Sequence, residues 1–143
     1  GEPVAAPLPG LERLFPTAAA LAAADPETIG RLGIVRQRVR ALQALATEVA
    51  AGRLRLEASA PLEATLTQLR ALPGFGEWTV QLVALRALGW PDAFPATDIG
   101  VLDALAPHTG GQRDAKAAEA AAQAWRPWRG YAVMKLWRSL ENP

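Results

Sequence analysis

The sequence predicts an all-α domain. Half of its 143 residues are hydrophobic, and Ala and Leu, which favour helices, dominate them, whereas β-branched residues are few. Apolar residues recur at intervals of three and four along several segments, as they do on one face of a helix. Gly and Pro separate these segments. We therefore expect about eight helices and no sheet.

The N-terminal half shows its element boundaries through capping and breaking residues. Residues 1–10 are rich in Pro and Gly and are interpreted as a linker or a remnant at the chain boundary, followed by a helical domain over residues 11–143. Asp25 is a typical N-cap, and Pro26 suits a first helical turn. Gly52 ends a long amphipathic segment. The expected helices of this half cover 18–24, 26–32 and 36–51.

The C-terminal half is divided in the same way. Pro61 opens one helix, Gly89 ends another, and Pro127 separates the last two. The expected helices of this half cover 61–71, 78–88, 98–105, 114–125 and 128–140.

Charge and composition exclude several classes of protein. The chain contains fifteen Lys and Arg residues and fourteen Asp and Glu residues. The resulting net charge of +1 does not by itself indicate a nucleic-acid binder. Arginines do cluster over residues 31–55 and 113–138, as a local basic surface or a solvated helix face. The absence of Cys excludes disulfides and iron–sulfur clusters, and a single His argues against structural zinc. No segment resembles a membrane span or a signal peptide, so we expect no membrane partner. The lack of Cys fits a cytoplasmic protein, which is the expected location.

The segment from Leu72 to Thr79 is a candidate anion-binding turn between two helices. Pro73 ends the first helix, while Gly74 and Gly76 permit a positive φ and leave space for a ligand. Unpaired amides at the start of the next helix can bind an anion such as a nucleic-acid phosphate. Glu77 is expected to point away from that anion. The alternative is a tight helical connection without a ligand. The candidate binding residues are Leu72, Gly74, Phe75, Gly76 and Glu77.

Several separated motifs in this chain resemble known enzymes. The segments 72–79 and 94–100 resemble the helix-hairpin-helix DNA glycosylase superfamily. The segment from Trp125 to Ala132, followed by Leu136-Trp137, is similar to the bacterial DNA-3-methyladenine glycosylase II family, as are 15–17 and 21–26. The resemblance covers most of the chain. It implies a helix-hairpin-helix glycosylase-like helical domain that removes alkylated purines from double-stranded DNA in base excision repair.

The resemblance also implies site residues, position by position. Asp98 corresponds to the catalytic carboxylate, and the turn at 72–77 corresponds to the phosphate-binding hairpin. The base pocket would be lined by Trp78, Leu82, Ile99 and Trp137. No metal or cofactor is expected, although the resemblance allows a monovalent cation at the hairpin carbonyls. No obligate protein partner is expected.

The sequence departs from the family pattern in three respects. Trp78 stands where some superfamily members carry a lysine that attacks the sugar, so we expect a monofunctional enzyme without a lyase step. Leu82 and Ile99 stand where better-known members often have aromatic residues, which suggests a different substrate range. The family also has a β-containing domain and early helices, one of them carrying a wedge residue, which this chain lacks. We therefore interpret it as part of a longer enzyme.

Each site residue also has a structural interpretation. Asp98 before an apolar helix is a typical N-cap, and this role and catalysis both remain open. Asp92 is interpreted as a turn residue and Asp103 as a residue inside a helix. Trp125 and Trp128 are assigned mainly to packing, whereas Trp78 and Trp137 fit packing and a pocket equally well. The two arginines at 126 and 129 would contact phosphate or cap the preceding helix.

The chemistry expected of one carboxylate fits an alkylated base. Breaking the bond between sugar and base leaves positive charge on the sugar, which a fixed carboxylate stabilises while it orients or deprotonates water. An alkylated purine is already cationic and leaves without a second acid. Two alternatives remain: a non-catalytic helix-hairpin-helix module that only holds DNA, and a truncated domain that folds but is inactive.

Overall fold

A computed structural model describes residues 1–6 and 8–141, and the fold of this part of the chain belongs to the all-α class, as expected. No strand occurs in that part of the chain, where the one β-type contact is an isolated antiparallel bridge between Pro3 and Arg13. The eight α-helices are α1 Ala18–Ala23, α2 Pro26–Gly30, α3 Arg36–Ala50, α4 Leu62–Arg70, α5 Glu77–Arg86, α6 Ile99–Leu105, α7 Ala115–Ala122 and α8 Arg129–Glu141.

The predicted helix ends differ from the observed ones by a few residues. The sequence predicted a helix to Leu88, but α5 ends at Arg86. Residues 114–125 were expected to form one helix, whereas α7 ends at Ala122 and continues as a 3₁₀ turn, Gln123–Trp125. The last turn of a helix often tightens in this way, because its carbonyls lack partners further along the chain.

The first of two compact units comprises residues 1–55 and 71–74. Among its described residues, the buried hydrophobic side chains are those of Ile29, Val39, Ala46 and Leu54. The amide of Gln43, on α3, donates to the carbonyl of Ala24 at 2.7 Å and thereby satisfies a backbone acceptor at the end of α1. Residues 2–4 pair with 12–14 through two backbone hydrogen bonds of 2.9 Å.

The second unit comprises residues 56–70 and the chain from Phe75 onward, and it holds α4 to α8. Its main hydrophobic cluster is formed by the loop before α6 and by α6, α7 and α8. The members of this cluster are Phe94, Val101, Leu105, Ala118, Ala122 and Val133.

A buried ion pair anchors the start of α8 to the loop that precedes α6. Arg129 is only 4% exposed and binds both carboxylate oxygens of Asp92, at 2.8 and 2.9 Å. Arg126 and Glu119 complete the network, at 2.7 Å to Asp92 and 2.9 Å to Arg129 respectively. The pKa of Asp92 is lowered, chiefly by its hydrogen bonds with Arg129. The pairing fixes the loop from which the chain enters α6.

Candidate active site

Asp98 holds a carboxylate that three donors orient. Its Oδ1 accepts the Nε1–H of Trp137 at 2.8 Å and the backbone N–H of Val101 at 3.0 Å. Its Oδ2 accepts the Nε1–H of Trp78 at 2.8 Å. Asp98 is therefore the N-cap of α6, as the capping interpretation expected, and it is also held by two indoles from distant parts of the chain.

Three helices supply these groups. Trp78 is the second residue of α5, Asp98 precedes α6, and Trp137 lies in the second half of α8. The structure thus brings together three of the residues that the sequence placed in one site.

Gly100 allows the indole of Trp137 to approach the carboxylate. A Cβ at this position would lie 3.0 Å from Cδ1 of Trp137 and 3.2 Å from Oδ1 of Asp98, closer than such contacts usually are. No role was predicted for Gly100 from the sequence. A glycine inside a helix destabilises it by about 1 kcal/mol relative to alanine. Its presence in a helical segment was therefore the one sequence feature that indicated close packing at this position.

The environment of Asp98 favours its ionised form. Partial burial, the largest single effect, raises the pKa of the carboxyl, but the two indole donors and the backbone amides at the start of α6 together outweigh it. The net pKa lies below the usual 3.8. Hydrogen bonds to a carboxylate stabilise the charge, so Asp98 is a well-fixed anion and a weak proton acceptor near neutral pH.

Leu82 and Ile99 are the other two residues that were predicted to line the base pocket. Leu82 lies one turn after Trp78 on α5 and is half-buried. Ile99 is the first residue of α6 and is 64% exposed. Each tryptophan borders a cavity: one of about 300 Å³ beside Trp78, and one of about 410 Å³ beside Trp137.

The turn between α4 and α5 has one positive-φ glycine, not two. Gly74 has φ +81°, and a Cβ there would lie 3.1 Å from the Cβ of Ala41 on α3. Gly76 has φ −79° and ψ 169°, an extended conformation open to any residue, so the expectation of a positive φ there was wrong. Gly76 instead serves as the N-cap of α5 and has open space beside its Cα. Leu72 and Phe75 are half-buried.

Glu77 begins α5 and is paired with the preceding helix. Arg70, at the end of α4, donates to both of its carboxylate oxygens, at 2.8 and 2.9 Å, and Gln81 donates to one of them at 2.8 Å. These contacts, led by the hydrogen bond from Arg70, lower the pKa of Glu77 to about 2. Arg70 was not predicted from the sequence, because no local pattern links positions seven residues apart across a turn.

The structure changes the interpretation of Arg129, Asp92 and Trp128. Arg129 is buried against Asp92, so it neither caps the preceding helix nor reaches solvent to meet a phosphate. Asp92 is a buried partner of this arginine, which is more than the turn residue that was expected. Trp125 packs on the core, edge-on to Phe94. Trp128 was also assigned to packing, but it is 57% exposed and meets Tyr131.

Neither a metal cluster nor a membrane-spanning helix is found in the described chain. Residues 1–6 and 8–141 contain no group of three or more His, Cys, Asp or Glu side chains placed to hold a metal ion. Over the same residues, none of the helices has the length and apolar character needed to cross a membrane.

Comparison with known proteins identifies relatives of this chain. The family model for the HhH-GPD superfamily base excision DNA repair protein matches residues 3–130. The probable bifunctional transcriptional activator/DNA repair enzyme AlkA of Mycobacterium tuberculosis (strain ATCC 25618 / H37Rv) is 40% identical over 143 residues, which are 100% of this chain and 28% of that protein. DNA-3-methyladenine glycosylase 2 of Escherichia coli (strain K12) is 33% identical over 123 residues, covering 86% of this chain and 42% of that enzyme.

A solved structure shares the fold. The 3-methyladenine DNA-glycosylase from Archaeoglobus fulgidus superimposes with a TM-score of 0.73 at 26% identity, over 86% of this chain and 42% of its own. The chain thus spans between 28% and 42% of the length of these relatives. Since the family model covers nearly the whole chain, this protein belongs to the HhH-GPD superfamily of base excision DNA repair proteins.

Proposed function

We propose that this chain carries the catalytic site of a monofunctional DNA glycosylase that hydrolyses the bond between deoxyribose and an alkylated purine. The observation that carries the proposal is the carboxylate of Asp98, fixed by Trp78, Trp137 and the first turn of α6. Relatives named as 3-methyladenine glycosylases support the substrate class.

Asp98 would act mainly through its charge. As the bond to the base lengthens, the sugar gains oxocarbenium character, and a preorganised anion stabilises that charge without reorganising. Its lowered pKa makes Asp98 a weak general base, so it would orient the attacking water and take its proton late. Oδ2 accepts one of the three hydrogen bonds described above, which leaves it the better placed oxygen for water.

The leaving group needs little help from the protein. A purine alkylated at N3 or N7 already carries positive charge, so it departs without a second carboxylic acid. The base must first leave the duplex stack, and the indoles of Trp78 and Trp137 offer surfaces for it. With Trp78 at the position of the lyase lysine, no Schiff base with the sugar is expected.

The amides at the start of α5 would hold the DNA backbone. Gly76 leaves open space beside these amides, and the helix dipole adds a favourable field for a phosphate. No metal or cofactor takes part in this scheme, so we expect base release to be unaffected by chelators. A monovalent cation at the turn carbonyls stays a separate expectation, which is tested by comparing DNA affinity in potassium and tetramethylammonium salts.

The test is release of 3-methyladenine from methylated duplex DNA, measured in single turnover. Asp98→Asn keeps the shape of the side chain and removes its charge, so we expect a loss of about a hundredfold or more. Asp103→Asn is the matched control, because Asp103 lies in the same helix, is paired with Arg113, and should retain activity.

Two outcomes would contradict the proposal. Normal release by a folded Asp98→Asn protein would remove Asp98 from the mechanism. DNA binding without any base release, by this chain and by a longer chain extended to the length of its relatives, would favour a module that only holds DNA. Release by the longer chain alone would instead locate essential groups outside these residues.

A further inference from the structure

We propose that Arg86 sets the substrate preference of this site by weakening its attraction for cationic bases relative to neutral ones. The inference rests on the proposed function, because it concerns the base that lies beside Asp98. It assigns a role to a residue that neither the sequence motifs nor the carboxylate geometry includes.

The guanidinium of Arg86 lies over the ring of Trp137. Its central carbon is 5.0 Å from the ring centroid, within the range of a cation–π contact. Arg86 is the last residue of α5 and is exposed, and it forms one wall of the cavity beside Trp137. The same indole donates to Asp98 at 2.8 Å, so the arginine and the carboxylate meet at one ring.

A cationic base on Trp137 would meet this arginine whichever face it used. On the face that Arg86 covers, the base and the guanidinium compete for the same space. On the opposite face, the base stacks on a ring whose π electrons already interact with the guanidinium. The positive charges of the base and of Arg86 then repel each other. On this opposite face, Arg86 disfavours a neutral base less, because such a base gains little from the negative charge of the ring and is not repelled by the guanidinium.

Arg86 should therefore lower the ratio of activity on cationic bases to activity on neutral bases. The carboxylate of Asp98 does not offset this effect, because it acts on the sugar in the same way for both kinds of base. The prediction concerns a ratio, so a general effect of Arg86 on DNA affinity cancels out of it.

The experiment compares 7-methylguanine, which is cationic in the nucleotide, with hypoxanthine, which is neutral, in the same duplex sequence. For Arg86→Gln we expect the ratio of the two kcat/KM values to rise about three- to tenfold, the range that a partly exposed cation–π contact represents. Arg86→Lys keeps the charge and should give a smaller rise. Arg138→Gln is the matched control, because Arg138 borders the same cavity without lying over the ring, and its ratio should stay unchanged.

Two results would overturn the inference. The first is a ratio that stays the same or falls in Arg86→Gln; if the ratio stays the same because activity on both substrates falls equally, Arg86 is a phosphate contact. The second is an equal rise of the ratio in Arg138→Gln, which would make the effect one of general charge.

A second measurement keeps the inference testable apart from catalysis. The indole Nε1–H resonance of Trp137 can be followed while the chain is titrated with 7-methylguanosine, kept cationic at slightly acidic pH, or with inosine. We expect Arg86→Gln to strengthen binding of 7-methylguanosine relative to inosine, and no such change contradicts the inference. If the wild-type chain in both lengths releases neither these two bases nor 3-methyladenine while this titration behaves as expected, the proposed function fails and the role of Arg86 in binding stands.

Discussion

Gly100 is the residue at which a single methyl group should separate folding from activity. In Gly100→Ala the new Cβ would press on Trp137 and on Oδ1 of Asp98, at 3.0 and 3.2 Å. The helix itself should gain up to about 1 kcal/mol, because alanine is the better helix former. Displacement of the indole from the carboxylate should lower base release roughly ten- to a hundredfold.

Thermal unfolding and single-turnover release together test this prediction. Gly30→Ala is the control, because Gly30 is also helical and a Cβ there would meet nothing within 4 Å. If Gly100→Ala released the base at the wild-type rate and left the Trp137 indole resonance unshifted, the close approach of Trp137 to Gly100 would have no effect on activity.

The pKa of Asp98 should depend on the indole of Trp137. Trp137→Phe keeps an aromatic ring but removes a donor to the carboxylate, so the pKa should rise from its lowered value. Because that pKa is lower in the folded protein than the usual 3.8, the ionised group stabilises the fold above that pH. The stabilisation disappears as pH falls through the folded pKa.

The measurement is a carbon-13 NMR titration of the Asp98 carboxyl in both proteins, with pH profiles of base release beside it. In Trp137→Phe, the titration midpoint and the acid limb of activity should both move to higher pH. A midpoint that stays in place would mean that the hydrogen bond contributes nothing to the charge state of Asp98.

The sequence indicated only part of this site, for a physical reason. An N-cap is a local pattern, so the capping role of Asp98 could be predicted from its neighbours. Its two indole donors lie 20 and 39 residues away, and only the resemblance to a family placed them near it. Arg86 and Gly100 both lie against Trp137, and these tertiary contacts cannot be predicted from a short motif.

At the scale of elements, the charge balance between the end of α4 and the start of α5 should control DNA affinity. Glu77 places a negative charge beside the amides that would bind phosphate, and Arg70 neutralises it. Arg70→Gln leaves that charge unpaired and should weaken DNA binding. Glu77→Gln removes the charge and frees Arg70, so it should strengthen binding, and the double variant should lie between the two.

Fluorescence anisotropy with a short duplex at several salt concentrations measures these affinities. In Glu77→Gln, a freed Arg70 that reaches a phosphate should steepen the slope of log K against log salt by about 0.9. Glu48→Gln is the control, since Glu48 is also paired with an arginine but lies in α3. Thermal stability should change little, because exposed ion pairs contribute about 0.2–1 kcal/mol. Equal affinities in all variants would place the phosphate contact elsewhere.

At the scale of the whole molecule, the helical composition was enough to predict the class of fold and the number of α-helices. Helix propensity, caps and breakers act locally, so they are readable along the chain. The buried ion pair of Asp92 and Arg129 could not be predicted, because an aspartate after a proline is also common in ordinary polar turns. The pair joins positions 37 residues apart, and its contribution to stability depends on burial that the sequence does not show.

The two compact units should also differ in local stability. The first buries few large apolar side chains in the described chain, chiefly Ile29, Val39 and Leu54. The second buries a larger set, which includes Leu66, Leu69, Val80, Leu88, Phe94, Val101, Leu105 and Val133. Each fully buried side chain of this kind contributes about 1.5–3 kcal/mol, so the first unit should open more readily.

Native-state hydrogen exchange measures this difference residue by residue. After correction for intrinsic rates, the amides of α3 should exchange at least about tenfold faster than those of α6 and the first half of α8. Val39 is the critical probe in the first unit, since it is 2% exposed and would be among the slowest residues if burial of one side chain decided the rate. Val133, 0% exposed on α8, is its counterpart in the second unit. Equal protection at these two valines would mean that the chain unfolds as one cooperative body, because a unit with so small a core could not match the other alone.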